Sequence, residues 1–342
     1  MPKSDALLTK NDVAHERTIV TPSGSRTFGF LLLPDFALLT YASAIEPLRA
    51  ANALSGQDLY RWRHISVDGQ PVKASNGVAI AVDERVGDNL ALDALVAVAG
   101  GNPARFRHKA TFTFLRRLAH RGVMLAGISG GPYALARAGV LAGHRCTLHW
   151  EHIPAFTEEF PDLDVKRTLY EIDRDRVTCA GGIATLDMMA DLIARDHGPG
   201  LANAVSEWFL RTQARPASGA QRMAPRERFG IGNAKVLSVL AEMEARLEEP
   251  ATRQELAALA GISVRQLERL FADHLGETLG AHYLRVRLDR ARSLLKQTAL
   301  PVAQVAMATG FVSTSHFSRA YKARFGASPK GEREPLATAR GL

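Results

Sequence analysis

The sequence predicts two domains of different class, an α/β domain with a mostly parallel sheet and then an all-α domain holding two helix-turn-helix units. Three observations carry this. Short apolar runs alternate with helix-length segments up to Arg211. No strand-like run follows Gly230. The last third contains one helix–glycine–helix pattern twice, with the glycines Gly261 and Gly310 at 49 residues' separation.

In the first domain, TFGFLLL (Thr27 to Leu33), ALVAVA (Ala94 to Ala99) and VMLAGI (Val123 to Ile128) are continuous apolar runs closed by Pro or Gly. Such runs are strands buried on both faces, and the helical segments between them indicate a parallel sheet covered on both sides. The helices expected are Ala37 to Leu54, about Ala104 to Arg121, Pro132 to Ala138, Gly181 to Arg195 and Leu201 to Arg211. Arg61 to Val67 alternates like a strand, and Thr168 to Thr178 reads as a two-stranded excursion turning near Asp173-Arg174-Asp175. Residues 1–25 lack the order of a signal peptide and read as a disordered leader. Residues 212–230, rich in Arg, Ala, Gly, Ser and Pro, read as a flexible linker. The domains are therefore 26–211 and 231–335.

Of 342 residues, 46% are hydrophobic and 23% charged, which fits an ordinary globular protein, and no apolar run is long enough for a membrane span. The two cysteines, Cys146 and Cys179, form no Cys-x-x-Cys pair. They read as buried inert thiols in a reducing cytoplasm, with no metal site and no cofactor. The net charge of +8 is uneven: +5 from Ile231 onward and +4 within Arg211 to Gly230, leaving −1 for the rest. A polyanion is expected at the rear only.

Each repeated unit has the same logic. In RQELAALAGISVRQLERLFADHLG, Gly261 breaks a helix carrying Leu256, Ala257 and Ala260, and Ser263 caps the next. That helix buries Leu267, Leu270 and Phe271 and leaves Arg265, Gln266, Glu268 and Arg269 outside. In VAQVAMATGFVSTSHFSRAYKARFG, Gly310 breaks, Ser313 caps, and Phe317, Tyr321 and Phe325 lie inside; Thr314, Ser315, His316, Arg319 and Lys322 face out. This is the helix-turn-helix pattern of double-stranded DNA readers. The helix Thr278 to Thr298 between the units is long enough, at about 28 Å, to hold the reading helices near successive major grooves about 34 Å apart.

LAALAGISVRQLERLF, LRVRLDRARSLL and VAQVAMATGFVSTSHFSRAYKARFGASPKGER resemble the DNA-binding domain of AraC/XylS-family regulators. The resemblance implies that Arg265, Gln266, Glu268 and Arg269 face one groove and Thr314, Ser315, His316 and Arg319 the other. Arg269 and Arg319 would make bidentate guanine contacts, while Lys322 and Arg285 would meet phosphate. It also implies transcriptional control, activation rather than repression, contact with RNA polymerase and a nucleoid-associated location.

Gly127-Ile128-Ser129-Gly130-Gly131, between a buried strand and a helix, is a nucleophile-elbow arrangement. The stretches FLLLPDFALLTYASAIEPLRAAN, QDLYRWRHISVDGQPVKASNGV, ARAGVLAGHRCTLHWEHIPAFTEEFP and VTCAGGIATLDMMADLI resemble the PfpI/class I glutamine amidotransferase-like domain. With an AraC-type tail, this is the arrangement of GlxA-type regulators, especially the branch sensing arginine, glycine betaine or carnitine. A flavodoxin-like parallel sheet and a homodimer are implied. Enzymes of that superfamily carry Cys at the elbow, where this chain has Ser129. Two readings follow. In the first, the pocket binds a small amino-acid-like or quaternary-ammonium effector through Glu46, Gly101, Asn102, Ser129, Gly130, His149, Trp150 and Glu151, with Trp150 offering a cation–π face. In the alternative, Ser129 with His149 as base and Glu46 as acid forms an amidase or hydrolase with a DNA-binding tail.

Overall fold

A computed structural model describes residues 24–298 and 300–333. The expected leader falls almost entirely outside the described residues. Strands β1 (Arg26–Leu32), β2 (Tyr60–Ser66), β3 (Val72–Lys73), β4 (Ala79–Ile80), β5 (Glu84–Arg85), β6 (Ala94–Ala99), β7 (Met124–Ser129), β8 (Arg145–Cys146), β9 (Asp164–Val165), β10 (Tyr170–Asp173) and β11 (Arg176–Cys179) belong to the first domain. Seven of them form one sheet in the order β10-β11-β7-β6-β1-β2-β5, parallel except for the β10–β11 hairpin. The expected excursion is thus part of the main sheet, because β11 pairs in parallel with β7 and β10 caps the edge.

The apolar runs are continuous because both faces are covered. Phe28, Phe30 and Leu32 point into one core with α1 (Leu38–Ser55), while Leu31 and Leu33 point into the other with α2 (Lys109–His120) and α3 (Pro132–Arg137). Each buried Phe or Leu contributes roughly 1.5–3 kcal/mol. The helix expected from Ala104 begins later. Pro103–Arg105 is a single 3-10 turn, and α2 starts at Lys109 behind the cap His108, whose ring nitrogen accepts from the Thr111 N–H. Helix α4 (Ile153–Glu159) precedes the hairpin, and α5 (Ala184–His197) and α6 (Pro199–Trp208) follow it. Both cysteines are fully buried, and burial pushes the Cys146 and Cys179 thiols up to about 12 and about 11.

The linker departs from its expected flexibility. The buried Asp187 carboxylate receives Arg211 and Arg215, each at 2.6 Å, and the Gln221 amide donates to Thr168 O at 2.7 Å and Leu148 O at 3.0 Å. Composition alone predicts a coil; specific partners on the sheet domain hold this segment down. It ends in α7 (Pro225–Phe229). Then come α8 (Ala234–Ala245), α9 (Arg253–Leu259), α10 (Val264–Leu275), α11 (Leu279–Gln297), α12 (Val302–Met307) and α13 (Thr314–Phe325). One apolar cluster lies under α8–α10 and a second under α11–α13. No helix among the described residues is long and apolar enough to cross a membrane.

Candidate nucleic-acid interface and effector site

The pairs α9–α10 and α12–α13 are the two helix-turn-helix units. Gly261 and Gly310 turn with φ of +62° and +74°, a conformation that L side chains rarely adopt. At Gly310 space adds to the requirement, since a Cβ would lie 2.6 Å from the Leu247 carbonyl oxygen. Thr252 and Ser263 close capping boxes with Glu255 and Gln266, and Ser313 caps α13 through the His316 N–H. Leu267 and Phe271 face inward on α10, as do Phe317 and Tyr321 on α13.

Arg265, Arg269, Arg319 and Lys322 are exposed. Their side chains have no ion-pair or hydrogen-bond partner among the described residues, whereas most other arginines of the domain are paired. Arg285 binds Glu277 at 2.9 Å, Arg287 donates to Thr309 O at 2.7 Å, and Arg292 binds Glu332 at 2.9 Å. Unneutralised cations on reading helices are what a phosphate- and base-binding face requires. Two of the expected readers also have partners within the fold. The Gln266 side chain closes its capping box, and the Glu268 carboxylate accepts from Leu279 N at 3.1 Å and faces Arg253 at 3.6 Å. Arg285, expected on phosphate, is held by Glu277. Thr314, Ser315 and His316 are exposed at the start of α13, the His316 ring packing on Phe311 at 5.5 Å.

In the first domain, Ser129 at the end of β7 has φ of +58°. For a residue other than glycine this costs on the order of 1–3 kcal/mol, and such strain collects at functional sites. The elbow is tightly framed: a Cβ on Gly131 would collide with the Ala97 carbonyl oxygen, and one on Gly181 would lie 2.7 Å from Ser129 Cβ and 3.1 Å from Thr40 Oγ1. His149 approaches through its backbone, its N–H donating to Ser129 O at 3.3 Å. No side-chain hydrogen bond joins Ser129 to His149 among the described residues. Burial pulls the His149 and His152 imidazoles below the usual 6.5.

This burial gives an expected pH dependence. With native pKa values below 6.5, both rings are neutral in the fold, and the unfolded chain binds more protons as pH falls. Their contribution to stability is complete above about pH 6.5 and is lost as pH drops through the native pKa values, by at most about 1.4 kcal/mol per pH unit for each ring. Melting at pH 5.5 should therefore come earlier than at pH 7.5, and a His149→Gln/His152→Gln variant should lose part of that difference. An unchanged difference in the variant would assign the effect to other groups.

The comparisons follow the same division. A helix-turn-helix domain model matches residues 256–334, and the DJ-1/PfpI family model matches residues 36–195. HTH-type transcriptional regulator CdhR of Pseudomonas aeruginosa is 49% identical over 312 residues, covering 91% of this chain and 93% of its own. The chain belongs to the HTH-type transcriptional regulators. A second member, HTH-type transcriptional regulator GlxA of Rhizobium meliloti, is 41% identical over 302 residues, covering 88% of this chain and 93% of its own. A solved putative transcriptional regulator from Vibrio parahaemolyticus, 18% identical, superposes with a TM-score of 0.50 over 55% of this chain and 100% of its own, a likeness of fold alone. The regulator therefore joins a DJ-1/PfpI α/β domain to a DNA-binding helical domain. Its full-length relatives are named as regulators, which sets the hydrolase alternative aside.

In this regulator the eight expected effector residues do not all converge. Ser129, Gly130 and His149 meet at the elbow. Glu46 does not reach it: on α1 its half-exposed carboxylate binds Arg49 at 2.7 Å. The α1 residue that does reach the elbow is Thr40, buried, with Oγ1 accepting from Gly182 N at 2.8 Å. A threonine within an apolar helix gave no signal of this, because its role depends on a glycine turn 142 residues away. The expected anion donors also shift. The Gly130 N–H is spent on Ala99 O at 3.2 Å, while the Gly101 and Asn102 N–H groups have no partner among the described residues. Glu151 is exposed. The Trp150 face does hold a cation, but one from this chain: the Arg222 guanidinium stands 4.6 Å from the ring centroid.

Proposed function

We propose that this regulator is switched by a small zwitterion, an amino acid or quaternary-ammonium acid, bound over the Ser129 elbow. The strained Ser129 beside the unpartnered Gly101 and Asn102 N–H groups supports this most strongly. These donors follow the carboxyl end of β6, with Ser129 at the end of the neighbouring β7, where ligands of open parallel sheets bind, and they suit a carboxylate. Trp150 could receive an ammonium only if Arg222 withdraws. The regulator acts as an activator, binds DNA as a homodimer and contacts RNA polymerase; these roles rest on the resemblance of both domains to GlxA-type regulators.

A thermal-shift scan against L-arginine, glycine betaine, L-carnitine and dimethylglycine tests the reading. A ligand at 100 times its Kd adds about 2.7 kcal/mol of native stability. One compound should raise the first domain's melting temperature, and Ser129→Trp should remove that shift. A shift that survives Ser129→Trp would move the site away from the elbow.

A further inference from the structure

The DNA-binding domain docks against the segments that flank the elbow. From Ser129 the backbone contact leads to His149, whose carbonyl accepts from the His152 N–H at 2.8 Å. The buried His152 ring faces the amide of Gln297, the last residue of α11 and itself 6% exposed. The preceding residue, Lys296, accepts through its carbonyl from the Asn102 side chain. The turn after Asn102 returns to the elbow, since a Cβ on Gly130 would lie 2.7 Å from Pro103 Cγ. These contacts bring the end of α11 to the segments on either side of Ser129, which is 8% exposed. Beside it, Ala155 of α4 packs into the same apolar cluster as Leu288, Ala291 and Leu295 of α11.

This docking carries visible costs. Among the described residues, Asn102 Oδ1 and His152 Nδ1 are buried without a hydrogen-bond partner, a cost of about 1–3 kcal/mol for each such group in general. Arg290 of α11 is half-buried near a second cation, Arg167, with Glu158 opposing; loss of solvent is the main cause that pushes its guanidinium down to about 10. A contact with unsatisfied polar atoms and adjacent like charges is suited to being broken by a modest ligand.

We propose that the last turn of α11 is a plug in the effector site: Lys296 and Gln297 close the elbow while the domains are docked, and effector entry displaces them, freeing the second helix-turn-helix unit. This rests on the effector reading above. Occupancy and docking exclude one another because both use the space over Ser129. Anything that weakens docking therefore acts as the effector does. Once α11 is free of the first domain, both units can settle into their grooves.

The test uses the full chain with Ala155→Arg, which places a large cation in the docking contact, and Gln297→Ala, which removes only the plug amide. Affinity is measured, without any small molecule, for a duplex selected from a random library by the wild-type chain. Both variants should bind about tenfold tighter than wild type, and the compound that stabilises the wild type should no longer strengthen their binding. Gln297→Ala decides the matter if Ala155→Arg fails to give a native melting profile. Unchanged or weaker duplex binding by folded variants overturns the plug, and a compound that still stabilises the wild type then leaves the effector reading standing. If no compound stabilises the wild type but the variants bind tighter, docking is inhibitory and the effector reading alone fails.

Discussion

Replacing Arg269 and Arg319 together by alanine removes sequence-specific DNA binding while leaving the fold intact. Each arginine is exposed on a reading helix, has no partner among the described residues and lies opposite a buried seam, formed by Leu267 and Phe271 on α10 and by Phe317 and Tyr321 on α13. A bidentate arginine–guanine contact is worth about 1–3 kcal/mol of discrimination. Losing two lowers specific affinity by roughly 30-fold to 20,000-fold, with each 1.4 kcal/mol a factor of ten. Melting should hardly move, since no native contact is lost. Titration of the selected duplex and of a scrambled one by the double variant checks both points. A loss below about threefold on the selected duplex, about 0.65 kcal/mol, would remove these two residues from base readout. Lys322→Ala should instead weaken both duplexes alike and flatten the salt dependence by about one phosphate's share.

Gly131→Ala has the largest expected effect on stability. The added methyl would meet the Ala97 carbonyl oxygen and lie 2.8 Å from Ile128 N, both backbone atoms of the paired strands β6 and β7. No rotamer change relieves a clash with backbone, so the elbow must shift. Overpacking of this kind costs about 1–3 kcal/mol and sometimes more. At about 2–4 °C per kcal/mol for a domain of this size, the first domain should melt roughly 2–12 °C earlier. The helical domain has its own cores and should keep its melting behaviour. Calorimetry that resolves the two transitions checks this; an unchanged first transition would mean that the elbow is looser than its geometry shows.

The units of this architecture that read well from sequence are those whose signals are local. The α10 and α13 helices declared themselves through Ser263 and Ser313 caps, Gly261 and Gly310 turns and inward residues at helical spacing. The buried strands showed as unbroken apolar runs, since a sheet covered on both faces leaves no polar alternation. The linker's contacts were hidden for a related reason: composition reports intrinsic stiffness, while Asp187 and Leu148, which hold Arg211, Arg215 and Gln221, lie far away in sequence. That Gln266 and Glu268 have partners within the fold could not be read from sequence either, because exposure does not reveal whether a side chain is engaged nearby.

By itself the sequence determined the two domain classes, the paired helix-turn-helix units and the strained turn at Ser129, because each depends on residues within a few positions of one another. Only the tertiary structure decided that Thr40 rather than Glu46 lies at the elbow, that Arg222 covers Trp150, and that the end of α11 meets the Asn102 and His152 segments beside the elbow. Those relations join residues many positions apart through packing. A side chain's partner across such a distance is set by how the domains meet, which no local pattern encodes.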